Sequence, residues 1–191
     1  MKKRVAAFVI TLLTLWLAAC TGDHSNARQT MVISESSFSE ETQEVLKILD
    51  DELIFFDYRV DDTVKSASVG LWMYENGTWV SQGQVIGDLN AKDCRIAVRI
   101  NENSCDIFHV EESGHTKSHY VCAADFSGSK LVANTRLASP TPIQLNQEIA
   151  LWVRLGTDQN TMAAGNAQNF REAACNAGIA VTITFSNQEV G

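Results

Sequence analysis

Four stretches of the chain alternate apolar and polar residues with period two. Ile54, Phe56, Tyr58 and Val60 interleave with Phe55, Asp57 and Arg59, and Ile96, Val98 and Ile100 with Arg95, Ala97 and Arg99. Further on, Ile149, Leu151, Val153 and Leu155 interleave with Ala150, Trp152 and Arg154, and Ile179, Val181, Ile183 and Phe185 with Ala180, Thr182 and Thr184. Such alternation sets one face of a strand on a core and the other in water, the habit of antiparallel sheets. Weaker signals predict strands at 64–74, 78–86, 104–110, 116–126 and 130–136. One helical pattern comes first: Ser37 and Glu40 have capping-box spacing, and Phe38, Thr42, Val45, Ile48 and Leu49 line one side of a helix ending near Asp50. Nine short strands after one N-terminal helix predict an all-β fold, an antiparallel, jelly-roll-like β-sandwich. The 157–177 connection is long for a compact domain, so a short helix over Ala167–Cys175, stopped by Gly178, is expected within it.

Two hairpins take their register from their turns. Asn76-Gly77 is a strong two-residue hairpin signal, setting Tyr74 opposite Trp79 and Met73 opposite Val80. Counting by twos, Trp72, Tyr74 and Trp79 share one face, while Val69, Leu71, Met73 and Val80 share the core face. A second turn centred on Ser113-Gly114 would place Cys105 directly opposite Cys122.

The first twenty residues carry a different message. A basic start, Met1-Lys2-Lys3-Arg4, is followed by an apolar run from Val5 to Leu17 and then by small residues, the order of a secretory signal. That run is too short to cross ~30 Å of hydrocarbon as a stable helix. Its end, Leu17-Ala18-Ala19-Cys20, resembles the lipobox of bacterial lipoproteins. The resemblance implies cleavage after residue 19 and acyl chains of the palmitate kind on Cys20. It therefore places the protein on the outer side of a cell membrane or at the outer membrane. Thr21 stands where the family's inner-membrane retention signal has Asp, which favours the outer membrane in a two-membrane cell. Each buried acyl CH₂ contributes ~0.8 kcal/mol, so two or three chains hold firmly where one would not. Residues 20–36 read as a flexible tether and 37–191 as a single sandwich domain.

Composition narrows the function classes. With 191 residues, 45% of them hydrophobic, the chain is long enough for one core and excludes a disordered, collagen-like or coiled-coil protein. The formal charge of −8 excludes the basic face of a nucleic-acid binder. Loss of Lys2, Lys3 and Arg4 with the leader makes the mature chain more acidic still. Against an anionic membrane surface such a body is repelled, so the membrane is its tether rather than its substrate.

The remaining chemistry points to binding rather than catalysis. Trp72, Tyr74 and Trp79, with Trp152 from the polar side of its strand, form a candidate platform for stacking sugar rings. The competing reading has that face covered by the 38–50 helix or the 157–177 segment. Four cysteines follow Cys20, and in an exported chain Cys105–Cys122 is the favoured bridge, with Cys94–Cys175 as the remaining pair. His109, His115 and His119 lie near the second hairpin, but no spacing matches a known zinc motif, so neither metal nor cofactor is expected. Asp57, Asp61 and Asp62 lack a calcium-loop pattern, and Ser127-Gly128-Ser129 lacks the setting of a hydrolase nucleophile. Arg95, Arg99 and Arg154 read as cross-strand ion-pair partners. Three functions follow in order: a lipid-anchored binding module for an extracellular glycan or similar ligand; a structural or regulatory lipoprotein docking on an envelope protein; and, least favoured, an envelope hydrolase.

Overall fold

The structure is a computed structural model in which residues 30–49, 53–101, 103–112, 114–122, 124–162 and 166–190 are described. Cys20, the leader and the first part of the expected tether lie outside the described residues. Two sheets face one another. The first has the order β7-β6-β5-β2-β1-β9, with β1 Val32–Glu35, β2 Leu53–Arg59, β5 Asp93–Ile100, β6 Ser104–Glu111, β7 Gly114–Val121 and β9 Thr141–Pro142. The second has the order β4-β3-β11-β10-β8, with β3 Ser66–Glu75, β4 Thr78–Asp88, β8 Leu131–Arg136, β10 Glu148–Thr157 and β11 Ala177–Ser186. Every pairing is antiparallel.

The core lies between the sheets. Phe56, Ile96 and Val98 from the first meet Leu71, Val181, Ile183 and Phe185 from the second in one buried cluster, and the Tyr58 ring stands edge-on to Phe185 at 5.1 Å. A second, smaller cluster lies on the outer face of the β4-to-β8 sheet, beneath a 3₁₀ turn at Ala167–Glu172. Helix α1, Glu40–Leu49, starts at Ser39, whose Oγ accepts from the Thr42 amide at 3.4 Å; Ser37 is not the cap. Its apolar side faces outward at Ile48, which is 84% exposed. Among the described residues, no helix is long and apolar enough to cross a membrane.

Four expectations need correction. Met31-Val32-Ile33 is not tether: Val32–Glu35 pairs with both β2 and β9, and Ile33 is fully buried. Burial of this apolar patch in the sandwich wins over the polar sequence around it. Trp152 is not on the outer face. A β-bulge between Ala150 and Trp152 reverses the parity of β10, so Ile149, Leu151 and Trp152 enter the main core while Val153 and Leu155 turn outward. The second hairpin pairs Glu111 with Gly114 rather than Glu112 with His115, which sets Cys105 opposite Tyr120. Cys105 and Cys122 are buried free thiols, and Cys94 and Cys175 are also free. Finally, the short helix of the 157–177 connection ends at Glu172, capped by Ala173, and Gly178 belongs to β11.

Candidate functional site

The aromatic residues of the first hairpin adopt the predicted register. Asn76 and Gly77 both have positive φ, 51° and 84°, and Tyr74 pairs with Trp79 across them. Trp72, Tyr74 and Trp79 share the outer face, but the 3₁₀ segment lies over it. Trp79 meets the Phe170 ring edge-on at 4.7 Å, and its buried Nε1 has no hydrogen-bond partner among the described residues. The Arg171 guanidinium sits 4.0 Å from the Trp72 ring centre. Trp72 Nε1 donates to Thr182 Oγ1 at 3.0 Å, Thr182 donates to Glu148, and Glu148 holds Arg171 at 2.9 Å, closing the loop. Trp72 and Trp79 are thus partly buried against the second cluster, and Tyr74 stands edge-on to Trp79.

An open site lies elsewhere, where the two sheets meet through their edge strands β4 and β7. At one end these edges touch: a Cβ placed on Gly83 would overlap the ring of Tyr120. Toward Asp88 on β4 and Gly114 on β7 they leave a cleft of about 580 Å³. Val69, Val85, Ile96 and Ile107 give it an apolar interior, His109 and Glu111 a polar wall, and Asp88, His115 and Ser118 part of its rim.

Alternation along β6 explains the polar wall. Cys105 and Ile107 are buried in the core, and His109 and Glu111 continue the same face to where the sandwich opens. His109 Nε2 is hydrogen-bonded to Tyr58 Oη at 2.8 Å, and its Nδ1 lies 3.7 Å from Glu111 Oε1. Burial lowers the His109 pKa against an opposing effect of Glu111, which leaves the imidazole neutral near pH 7. Burial pushes the Tyr58 phenol up, with Cys94 and Glu111 adding to it. Burial also raises the Cys94 thiol, against the influence of the Tyr58 hydroxyl. His109 and Glu111 thus face the cleft, with the buried Tyr58 hydroxyl and Cys94 thiol behind them.

The other candidates serve packing and ion pairing. His119 Nδ1 bonds Asp106 Oδ1 at 2.7 Å on the outer face of β6, and His115 lies near the Phe108 ring. The three aspartates are divided: Asp57 takes Arg95, Asp61 accepts from the Thr63 amide, and Asp62 pairs with Lys92. Arg99 pairs with Asp106, and Arg154 donates to Asn134 across β8 and β10. Ser127 and Gly128 form a turn in which the Ser127 amide donates to Asp125.

Sequence reasoning missed the grouping of Tyr58, Cys94, His109 and Glu111. A signal for it was present. Cys94 has the same parity as Ile96, Val98 and Ile100, and a hairpin turn near Asn101–Asn103 would have brought Glu111 opposite it. Comparison with protein-family models, with characterised proteins and with solved structures finds no match to this chain.

Proposed function

We propose that this is a lipid-anchored, extracytoplasmic binding module whose ligand enters the cleft between β4 and β7. The observation that carries the reading is the cleft itself, an opening of about 580 Å³ lined by aliphatic side chains with His109 and Glu111 on one wall. A cavity with an apolar body and a few convergent polar groups is the common form of a small-molecule site. The fitting ligand is a small amphipathic molecule: its apolar body lies against Val69, Val85 and Ile107, and a hydrogen-bond-donating or cationic head meets Glu111. The cleft is preferred to the aromatic platform because the 3₁₀ segment packs on Trp72 and Trp79 and leaves them only partly exposed. The lipobox ending at Cys20 supports the membrane anchor.

The test uses N-phenyl-1-naphthylamine, a neutral apolar fluorophore. The folded protein is expected to bind it saturably, and Val85→Trp, which fills the cleft from β4, to weaken binding about tenfold or more, or ~1.4 kcal/mol. Val132→Trp, on β8 at the far edge, serves as the control with unchanged binding. No saturable binding, or equal binding by Val85→Trp, would overturn the cleft reading. For the anchor, Cys20→Ser expressed in a bacterium is expected to leave the detergent phase, and continued partitioning into it would overturn lipidation.

A further inference from the structure

We propose that Cys94, His109 and Glu111 bind a zinc ion at the wall of the cleft, leaving one coordination position open toward it. Two strands, β5 and β6, carry the donors, and β2 stands beside them. Tyr58 on β2 stands opposite Cys94 on β5, and the β5–β6 register, continued one step from the Arg95–Val110 pair, sets Glu111 across from Cys94. His109 lies two residues before Glu111 on the same face of β6. One donor atom from each residue lies within 4.8 Å of the other two.

The geometry is close to what zinc needs. Zn–S of ~2.3 Å and Zn–N of ~2.0 Å place neighbouring tetrahedral donors roughly 3.3–3.7 Å apart, so the set closes by about 1 Å. The side chains of His109 and Glu111, 24% and 19% exposed, have room toward the cleft for that adjustment.

The donor chemistry selects the metal. A thiolate, an imidazole and a carboxylate suit zinc, whereas calcium and magnesium take oxygen ligands. Tyr58 acts as a positioning residue, because its hydroxyl anchors the imidazole through Nε2 at 2.8 Å. Outer partners of this kind fix the orientation of a ligating histidine. Cys94 is buried, while His109 and Glu111 line the cleft, so the vacant coordination position faces the space a ligand would enter. Binding replaces the Cys94 thiol proton by the metal, and that proton passes to water through the cleft. Three protein ligands with an open fourth position are the pattern of zinc sites that engage a small molecule. The site rests on the ligands alone and does not need the apolar-ligand reading above.

The test is a titration of the reduced, metal-free full chain with Co²⁺ alone, followed by Zn²⁺. The expected result is a thiolate-to-cobalt charge-transfer band that saturates at about one equivalent and is displaced by zinc, as a single three-ligand site requires. Cys94→Ser is expected to abolish the band. Tyr58→Phe is expected to weaken zinc binding by about ten- to a hundredfold. Cys105→Ser and Cys175→Ser should leave both unchanged. Absence of the band, or its persistence in Cys94→Ser, overturns the site. Because Cys94→Ser alters the core, Glu111→Gln on the cleft wall is measured beside it, with the fold verified by circular dichroism. Unchanged zinc affinity in that folded variant overturns the site as well. Loss of naphthylamine binding with the cobalt band intact would remove only the apolar-ligand reading, and the reverse result would remove only the zinc site.

Discussion

Asp106 shows how a single buried charge is made tolerable at the surface of a sheet. Its side chain is 3% exposed, yet Arg99, Lys117 and His119 all reach it. Burial alone would raise its pKa, but hydrogen bonds from Arg99, His119 and Lys117 outweigh burial and hold the carboxyl well below the usual carboxylate range. A carboxyl depressed in the folded state contributes stability above its unfolded pKa of ~3.9 and loses it as the pH falls toward the folded value. Asp106→Asn is therefore expected to cost about 1–3 kcal/mol at pH 7, the range for losing charge-assisted hydrogen bonds. The gap between the two proteins should shrink steadily below pH ~4. Urea denaturation at pH 7 and near pH 2.5 measures both, and an unchanged gap at the lower pH would show that the ionised carboxylate is not the source. Alternation along β6 sets Asp106 on the outer face of its sheet, where carboxylates are ordinarily solvated. Arg99 from β5 and Lys117 and His119 from β7 converge on it and make burial viable, and that depends on a register two places from the one the Ser113-Gly114 signal implied.

The 3₁₀ segment at Ala167–Glu172 decides whether the outer face of the second sheet is wet or dry. The β8–β10 ladder begins at Trp152 and Arg136, so β8 does not reach the backbone groups of Ala150. Gln168 supplies the missing partner: its Oε1 accepts from the Ala150 amide at 3.0 Å and its Nε2 donates to the Ala150 carbonyl at 2.9 Å. Pinned there, the segment lowers Phe170 onto Trp79. Gly178 completes the fit, because a Cβ at that position would come within 2.6 Å of the Trp79 ring. Trp79→Ala is thus expected to behave as a core truncation, costing about 3 kcal/mol. Gln168→Ala should cost about 1–2 kcal/mol through two hydrogen bonds, and should raise amide exchange at Phe170 before global unfolding. Hydrogen-exchange mass spectrometry checks the second claim; protection of Phe170 unchanged in Gln168→Ala would show that the pin is elsewhere.

At this scale the long strands were legible because alternation is a local property, and the Asn76-Gly77 turn fixed its hairpin because both residues accept positive φ. Strands of four and two residues, β1 and β9, carry too few positions for a period to register. The bulge was invisible for another reason. Its cause is the packing of Leu151 and Trp152 together into the core, a tertiary preference that alternation cannot express. The order in which strands join the two sheets was likewise beyond local pattern: β5, β6 and β7 follow one another in one sheet, whereas β2 lies beside β5 and β3 beside β11.

At the scale of the whole molecule, the two sheets must be closed along one seam and open along another part of it for the cleft to exist. The closure is the contact of Tyr120 on β7 with the backbone of Gly83 on β4. Glycine inside a strand weakens it, and its usual justification is close approach by another group. The Gln82-Gly83-Gln84 sequence carried half of that message, without the identity of the visitor. Gly83→Ala should push the Tyr120 ring outward and separate the edges, at a cost of about 1–3 kcal/mol for overpacking. If the clash is with Tyr120, then Tyr120→Ala makes room for the new methyl group. The double variant should be less destabilised than the two single variants combined, by about 0.5–3 kcal/mol. Urea denaturation of the four proteins in the cycle gives the coupling directly. Additive effects would mean that Tyr120 does not close the seam, and that the edges of β4 and β7 are held together by some other contact.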